Sequence, residues 1–174
     1  LLAMDRSIGR VIDRLDKHGI ADNTIVLFLN DNGGGGSTAR YAGHSRNFAN
    51  NKPLRGHKFD VLEGGVRVPM IMRWPGRVPA GREFRGMVSS MDVYPTLVGA
   101  AGLQMPEDQP ADGVNLIPFI KRNDESNPHE WLCWQNRSWL PRKEGGFVVP
   151  TPKVHNCAIR KGTWKLVRLN EKIG

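Results

Sequence analysis

Cysteine is nearly missing from these 174 residues: Cys133 and Cys157 are the only two. Two cysteines cannot complete a zinc site, and no Cys-x-x-Cys occurs, so a cysteine-built zinc centre is excluded. A bridge between neighbouring strands remains open to them, but two buried free thiols are the ordinary outcome. Long apolar runs are missing as well; none approaches the roughly 18 residues that a membrane-spanning helix needs. The chain is basic, with a net charge of +8, yet it holds no dense block of Lys and Arg. Such a diffuse field attracts anions of many kinds. Scattered basic residues without a nucleic-acid motif argue against a nucleic-acid partner. Internal repeats and low-complexity tracts are absent. So is an initiator methionine: the chain opens on Leu1, in what reads as the middle of a helix. A piece of a longer protein is therefore expected, and the lack of a leader says nothing about location.

What is present is ordinary globular material, 39% hydrophobic and 24% charged, with twenty glycines and twelve prolines that predict many loops. Leu1, Met4, Ile8, Val11, Ile12 and Leu15 recur at helical spacing, and Gly19 marks a stop. Thr24–Asn30 is an apolar, β-branched run that reads as a buried strand. Helix then strand is half of a parallel α/β repeat. Residues 33–57 form a long polar loop, and loops of that length are usually functional. Val66–Trp74 reads as a second strand, with Pro69 disturbing its first part. Residues 92–102 read as a helix capped by Asp92 or Ser90, with Pro95 in its first turn and Gly102 closing it. Asn115–Ile120 predicts one more short helix. After a polar stretch at 121–128 the texture changes. Trp131–Asn136, Ala158–Arg160 and Thr163–Leu169 read as strands, the last two joined at Lys161-Gly162. The predicted organisation is an α/β body over 1–122 followed by a small antiparallel β subdomain over 123–174.

The first strand ends on Asp31-Asn32-Gly33-Gly34. Ligands bind at the carboxyl ends of strands in α/β sheets. A carboxylate and a carboxamide there offer hard oxygen donors suited to Ca²⁺ or Mg²⁺. The same residues also make ordinary turns.

Downstream come Pro53-Leu54-Arg55-Gly56-His57-Lys58, Glu63-Gly64-Gly65-Val66-Arg67-Val68-Pro69, Trp74-Pro75-Gly76 and Asp92-Val93-Tyr94-Pro95-Thr96-Leu97. In this order, across residues 1–120, the set resembles the carboxyl half of the catalytic domain of type I sulfatases. It looks most like the carbohydrate sulfatases related to N-acetylgalactosamine 4- and 6-sulfatases. The resemblance implies an alkaline-phosphatase-like mixed sheet flanked by helices, present here in part. It implies a divalent cation, usually calcium, with Asp31 and Asn32 aligned to a metal-binding pair. Lys58 aligns with a lysine that contacts the sulfate. A sulfated carbohydrate or other sulfate ester is the implied substrate, and the periplasm, the cell exterior or the lysosome the implied location.

The resemblance also identifies a gap. The family's nucleophile is a formylglycine made in a Cys-x-Pro-x-Arg motif. Cys133 begins Cys-Trp-Gln-Asn-Arg and Cys157 begins Cys-Ala-Ile-Arg-Lys, so no nucleophile is in this chain. The chain alone is predicted to be inactive. His44 and Arg46, in the loop after the metal pair, carry donors suited to hydroxyl and sulfate groups and are predicted to touch substrate. Glu63, ahead of two glycines, is predicted to fix a turn through backbone amides rather than act as a base. His57 is expected to point away from the site. Arg67 and Arg73 can pair with Glu63 or another acid. Trp131, Trp134 and Trp139 are expected in a core rather than against a sugar. Two rival readings are a phosphomonoesterase or phosphodiesterase of the same superfamily, and a non-catalytic polyanion binder. Half of a large sheet would also leave an uncovered apolar face.

Overall fold

The computed structural model describes residues 1–35, 50–122, 126–144 and 147–169, with the side chains of 137–155 left aside. The chain forms two compact units.

The first unit comprises residues 1–29 and 70–129. Helix α1 (Leu2–Lys17) follows the predicted apolar spacing. It stops where Gly19, at φ 65°, and Ile20 donate back to the carbonyls of Asp16 and Leu15. No residue of α1 is buried; Leu2 and Val11 are more than half exposed. Strand β1 (Val26–Leu29) is shorter than its apolar run and only half-buried throughout. It pairs antiparallel with β2 (Met70–Arg73), Val26 opposite Arg73 and Leu29 opposite Met70. The expected parallel pairing and deep burial are thus corrected. Among the described residues no second neighbour flanks β1, and the sheet has two strands. Arg73 pairs with Asp16 of α1 at 3.3 Å.

The remainder of this unit is organised by one carboxylate. Ser89 and Asp92 cap a 3₁₀ turn (Ser90–Asp92) that leads into α3 (Val93–Ala100). Asp92 is fully buried. Its Oδ2 accepts from the Ser89 amide at 2.7 Å, and its Oδ1 accepts from the Val114 amide at 2.9 Å and meets His129 Nε2 at 2.8 Å. Thr96, 1% exposed, accepts from the Leu116 amide at 2.9 Å. Leu116 leads into α4 (Ile117–Lys121) and is buried with Met87. The cap predicted at Asp92 or Ser90 is corrected: Ser89 caps the 3₁₀ turn, and the Asp92 carboxylate gives α3 no cap because it closes the capping box with Ser89 and fastens segments 22 and 37 residues away.

The second unit comprises residues 30–69 and 130–174. Its sheet runs β3 (Leu132–Glu144), β4 (Phe147–Lys161), β5 (Trp164–Arg168), antiparallel in that order. The two-residue connection Gly162-Thr163 closes the β4–β5 hairpin. Strand alternation separates two faces. Leu132 and Ala158 are buried on one; Ile159, Trp164 and Leu166 are exposed on the other. Cys133 and Cys157 lie on neighbouring strands as free thiols, Cys133 exposed and Cys157 half-buried. The expectation of buried thiols is corrected: their strand positions fall on the face away from Leu132. Trp131 is 52% exposed rather than core, and Trp134 is half-buried beneath Lys165. The side chain of Trp139 lies outside the described residues.

Candidate active site

Beyond β1 the chain turns polar, and its hydrogen bonds become local. Asn30 still donates to Pro69 at 3.4 Å. Asp31 Oδ1 then accepts from the Asn32 amide at 2.9 Å, and Asn32 Nδ2 donates to the Gly33 carbonyl at 2.8 Å. These bonds brace a bend in the chain at Asp31-Asn32. Asp31 is exposed and Asn32 half-buried.

Three segments close on this bend. Gly33 donates to Gly65 of α2 (Glu63–Val66) at 2.9 Å. Asn51 clamps Gly34 on both sides, accepting from its amide and donating to its carbonyl at 3.0 Å, and it donates to Gly56 at 3.1 Å. The Lys58 amide donates to the Gly34 carbonyl at 2.9 Å, and Gly64 donates to Arg55 at 2.6 Å. The approach is backbone on backbone. A Cβ at Gly33 would stand 1.7 Å from the Gly64 carbonyl oxygen, and one at Gly64 would stand 2.3 Å from that of Gly56. Only glycine fits at such separations. Val66 is the last residue of α2 and not the start of a strand, so the predicted strand begins four residues later, at Met70.

Lys58 is half-buried, with its ammonium 5.4 Å from the centre of the Phe59 ring. Phe59 holds φ 77°, a conformation unfavourable for an aromatic residue. The Asn136 side chain donates to its carbonyl. His57 is turned to Asp60, whose Oδ2 accepts the His57 amide at 2.8 Å and lies 3.5 Å from Nδ1. Glu63 departs from expectation. Among the described residues its carboxylate meets no backbone amide; it takes Arg160 Nη1 at 3.1 Å and Lys165 Nζ at 2.7 Å. Arg67 is exposed. His44 and Arg46 lie outside the described residues.

The donor set at Asp31-Asn32 suits a hard cation. The Asn32 nitrogen is committed to Gly33, so the amide atom left to face an ion is the oxygen. With the Asp31 carboxylate it makes part of a shell for an ion that takes six to eight oxygens. Among the described residues no cluster of three or more His, Cys, Asp or Glu side chains completes it. Reading along the chain did not find Asn51, whose Asn-Lys-Pro surroundings look like any loop. It also missed Arg160 and Lys165, which stand about a hundred residues from Glu63.

The profile of the family described as Sulfatase matches residues 1–103. The chain belongs to the sulfatase family. A second profile, N-sulphoglucosamine sulphohydrolase, C-terminal, matches residues 57–173. Rat steryl-sulfatase is 38% identical over 142 residues, covering 79% of this chain and 24% of its own length. Dog N-acetylgalactosamine-6-sulfatase is 39% identical over 171 residues, covering 87% of this chain and 31% of its own. The crystal structure of Ps i-CgsB superimposes with a TM-score of 0.75 at 36% identity, over 97% of this chain and 32% of that one. A second structure of Ps i-CgsB, in complex with k-i-k-neocarrahexaose, gives 0.72 at 37%, with the same coverage. The chain thus spans about a quarter to a third of the length of these relatives. Among the described residues no helix is long and apolar enough to cross a membrane.

Proposed function

We propose that this chain supplies a metal-binding pair, Asp31 and Asn32, and a sulfate-binding lysine, Lys58, to a sulfatase site that hydrolyses sulfate esters of carbohydrates. The observation that carries the reading is the 2.9 Å bond from the Lys58 amide to Gly34. It joins the lysine's backbone to Gly34, two residues past the second oxygen donor. The Asp31 carboxylate and the Asn32 amide oxygen would hold a calcium or magnesium ion. Such an ion, when bound, supplies Lewis acidity toward the sulfate oxygens. Lys58 sets a second positive charge against the same anion, where charge grows on the bridging oxygen as the S–O bond breaks. The net charge of +8 favours an anionic substrate in the wider field. The nucleophile, a formylglycine, belongs outside these residues.

A sugar substrate is supported by the names of two relatives, one an N-acetylgalactosamine-6-sulfatase and one solved with a neocarrahexaose. Rat steryl-sulfatase, at similar identity, supports a steroid sulfate as the second reading. The test compares N-acetylgalactosamine-6-sulfate and a steryl sulfate with the whole protein that carries this segment. Asp31→Ala and Lys58→Ala each lower kcat/KM about a hundredfold or more, while the exposed Arg6→Ala does not. The 174-residue chain alone gives no turnover; hydrolysis by that chain, purified, would overturn the placement of the nucleophile.

A further inference from the structure

We infer that Glu63 is a positioning residue for this site, fixed by two cations of the three-stranded sheet so that α2 holds the Asp31-Asn32 bend and the Lys58 segment in register. The inference rests on the reading of Asp31, Asn32 and Lys58 given above.

Each oxygen of the Glu63 carboxylate has its own cation: Oε2 takes Arg160 at 3.1 Å, and Oε1 takes Lys165 at 2.7 Å. The cations are themselves held. Arg160 Nε donates to the Gly162 carbonyl at 2.9 Å, which orients the guanidinium from the hairpin. The Lys165 ammonium sits 4.6 Å from the centre of the Trp134 ring. Lys165 is only 12% exposed and Glu63 26%, so solvent screens these pairs less than surface ones. Asn136, Arg160 and Lys165 occupy the same face of β3, β4 and β5 by register. That face therefore grips the loop from three strands, Asn136 at the Phe59 carbonyl and the two cations at Glu63.

Next to Glu63 in sequence are the two residues that touch the site. Gly64 donates to Arg55, three residues before Lys58, and Gly65 accepts from Gly33, one residue after Asn32. Displacing α2 by about an ångström would stretch both bonds past hydrogen-bonding distance. With both oxygens engaged, Glu63 acts through α2 and not as a base toward substrate.

Hydrogen exchange on the whole protein, with and without calcium, tests this. Without calcium, Glu63→Ala speeds exchange at the Gly33, Lys58 and Gly64 amides about tenfold or more, and Glu63→Gln by less, while the β4–β5 ladder keeps its protection. Asp31→Ala leaves those three amides within about twofold of the native rate. With calcium, the concentration that half-protects residues 31–34 rises about tenfold in Glu63→Ala, a shift that loss of general stability would not produce. Unchanged exchange at the three amides in both Glu63 variants would overturn the inference. So would equal acceleration across β3–β5, which would make Glu63 a general stabiliser. If instead Asp31→Ala keeps the native calcium response, the metal pair was misassigned, and the calcium-free result for Glu63 still stands or falls on its own.

Discussion

Residues 70–129 and residues 30–69 organise buried polar groups with different materials. In the first stretch a single ionisable side chain, Asp92, sits at zero exposure and collects two backbone amides and His129, with Thr96 repeating the device for Leu116. In the second, backbone bonds backbone at close range, with Asn51 as the side-chain clamp. Gly33, Gly64 and Gly65 let three segments touch, and Val61 is the one deeply buried apolar side chain among residues 50–69. The first arrangement keeps long-range ties through side chains that can be deleted singly. The second adds close glycine contacts to side-chain ties from Asn51 and Glu63, so an added methyl group breaks it as surely as a deletion.

Substitutions can break or sharpen that contrast. The largest effect is expected for Gly33→Ala, whose Cβ would meet the Gly64 carbonyl oxygen at 1.7 Å. It should cost about 4 kcal/mol or more, read as lost exchange protection over residues 51–66 and a lower urea midpoint. Gly9, inside α1 with nothing within 4 Å of an added Cβ, is the control. Gly9→Ala should stabilise by about 0.5–1 kcal/mol in the same urea assay. Asp92→Ala follows Gly33→Ala in size. It strands three donors in a buried place and should cost about 3 kcal/mol in thermal or urea unfolding, with Asp92→Asn recovering part.

The smallest effect belongs to the exposed pair of Glu130 and Lys161, 2.6 Å apart. The Lys161 ammonium, by hydrogen bond and by charge, holds the Glu130 carboxyl below its ordinary 4.5. A depressed carboxylate stabilises the fold above its unfolded pKa and loses that contribution as pH falls through its folded value. Lys161→Met should therefore lower Tm slightly at neutral pH and not at all well below pH 4.5, with the Glu130 carboxyl resonance titrating higher.

Much of the architecture was legible because apolar spacing is a local signal. The α1 period, the Pro95 helix and the tail of strands all appear where the pattern puts them. Pairing direction was not legible. The apolar run of β1 suits a parallel or an antiparallel neighbour equally, and Met70–Arg73 decided for antiparallel. Length was also misread at the other end. Strands β3 and β4 continue far past the apolar cores that announced them, through Arg142 and Lys143 on one side and Val148 and Val149 on the other. Glu63-Gly64-Gly65 carried a turn signal, but the turn's partners did not follow from it. Nothing within ten residues of Glu63 hints at Arg160 and Lys165.

By itself the order of residues determined the family, through short pieces whose spacing survives without any fold. Tertiary structure decided that the Lys58 backbone bonds Gly34, two residues past Asn32, that Glu63 answers to cations about a hundred residues away, and that Asp92 fastens distant segments. The physical reason is range. Periodicity, turns and oxygen chemistry act over a few neighbouring residues. Hydrogen bonds between distant segments exist only once chain entropy has been overcome and the backbones are packed together.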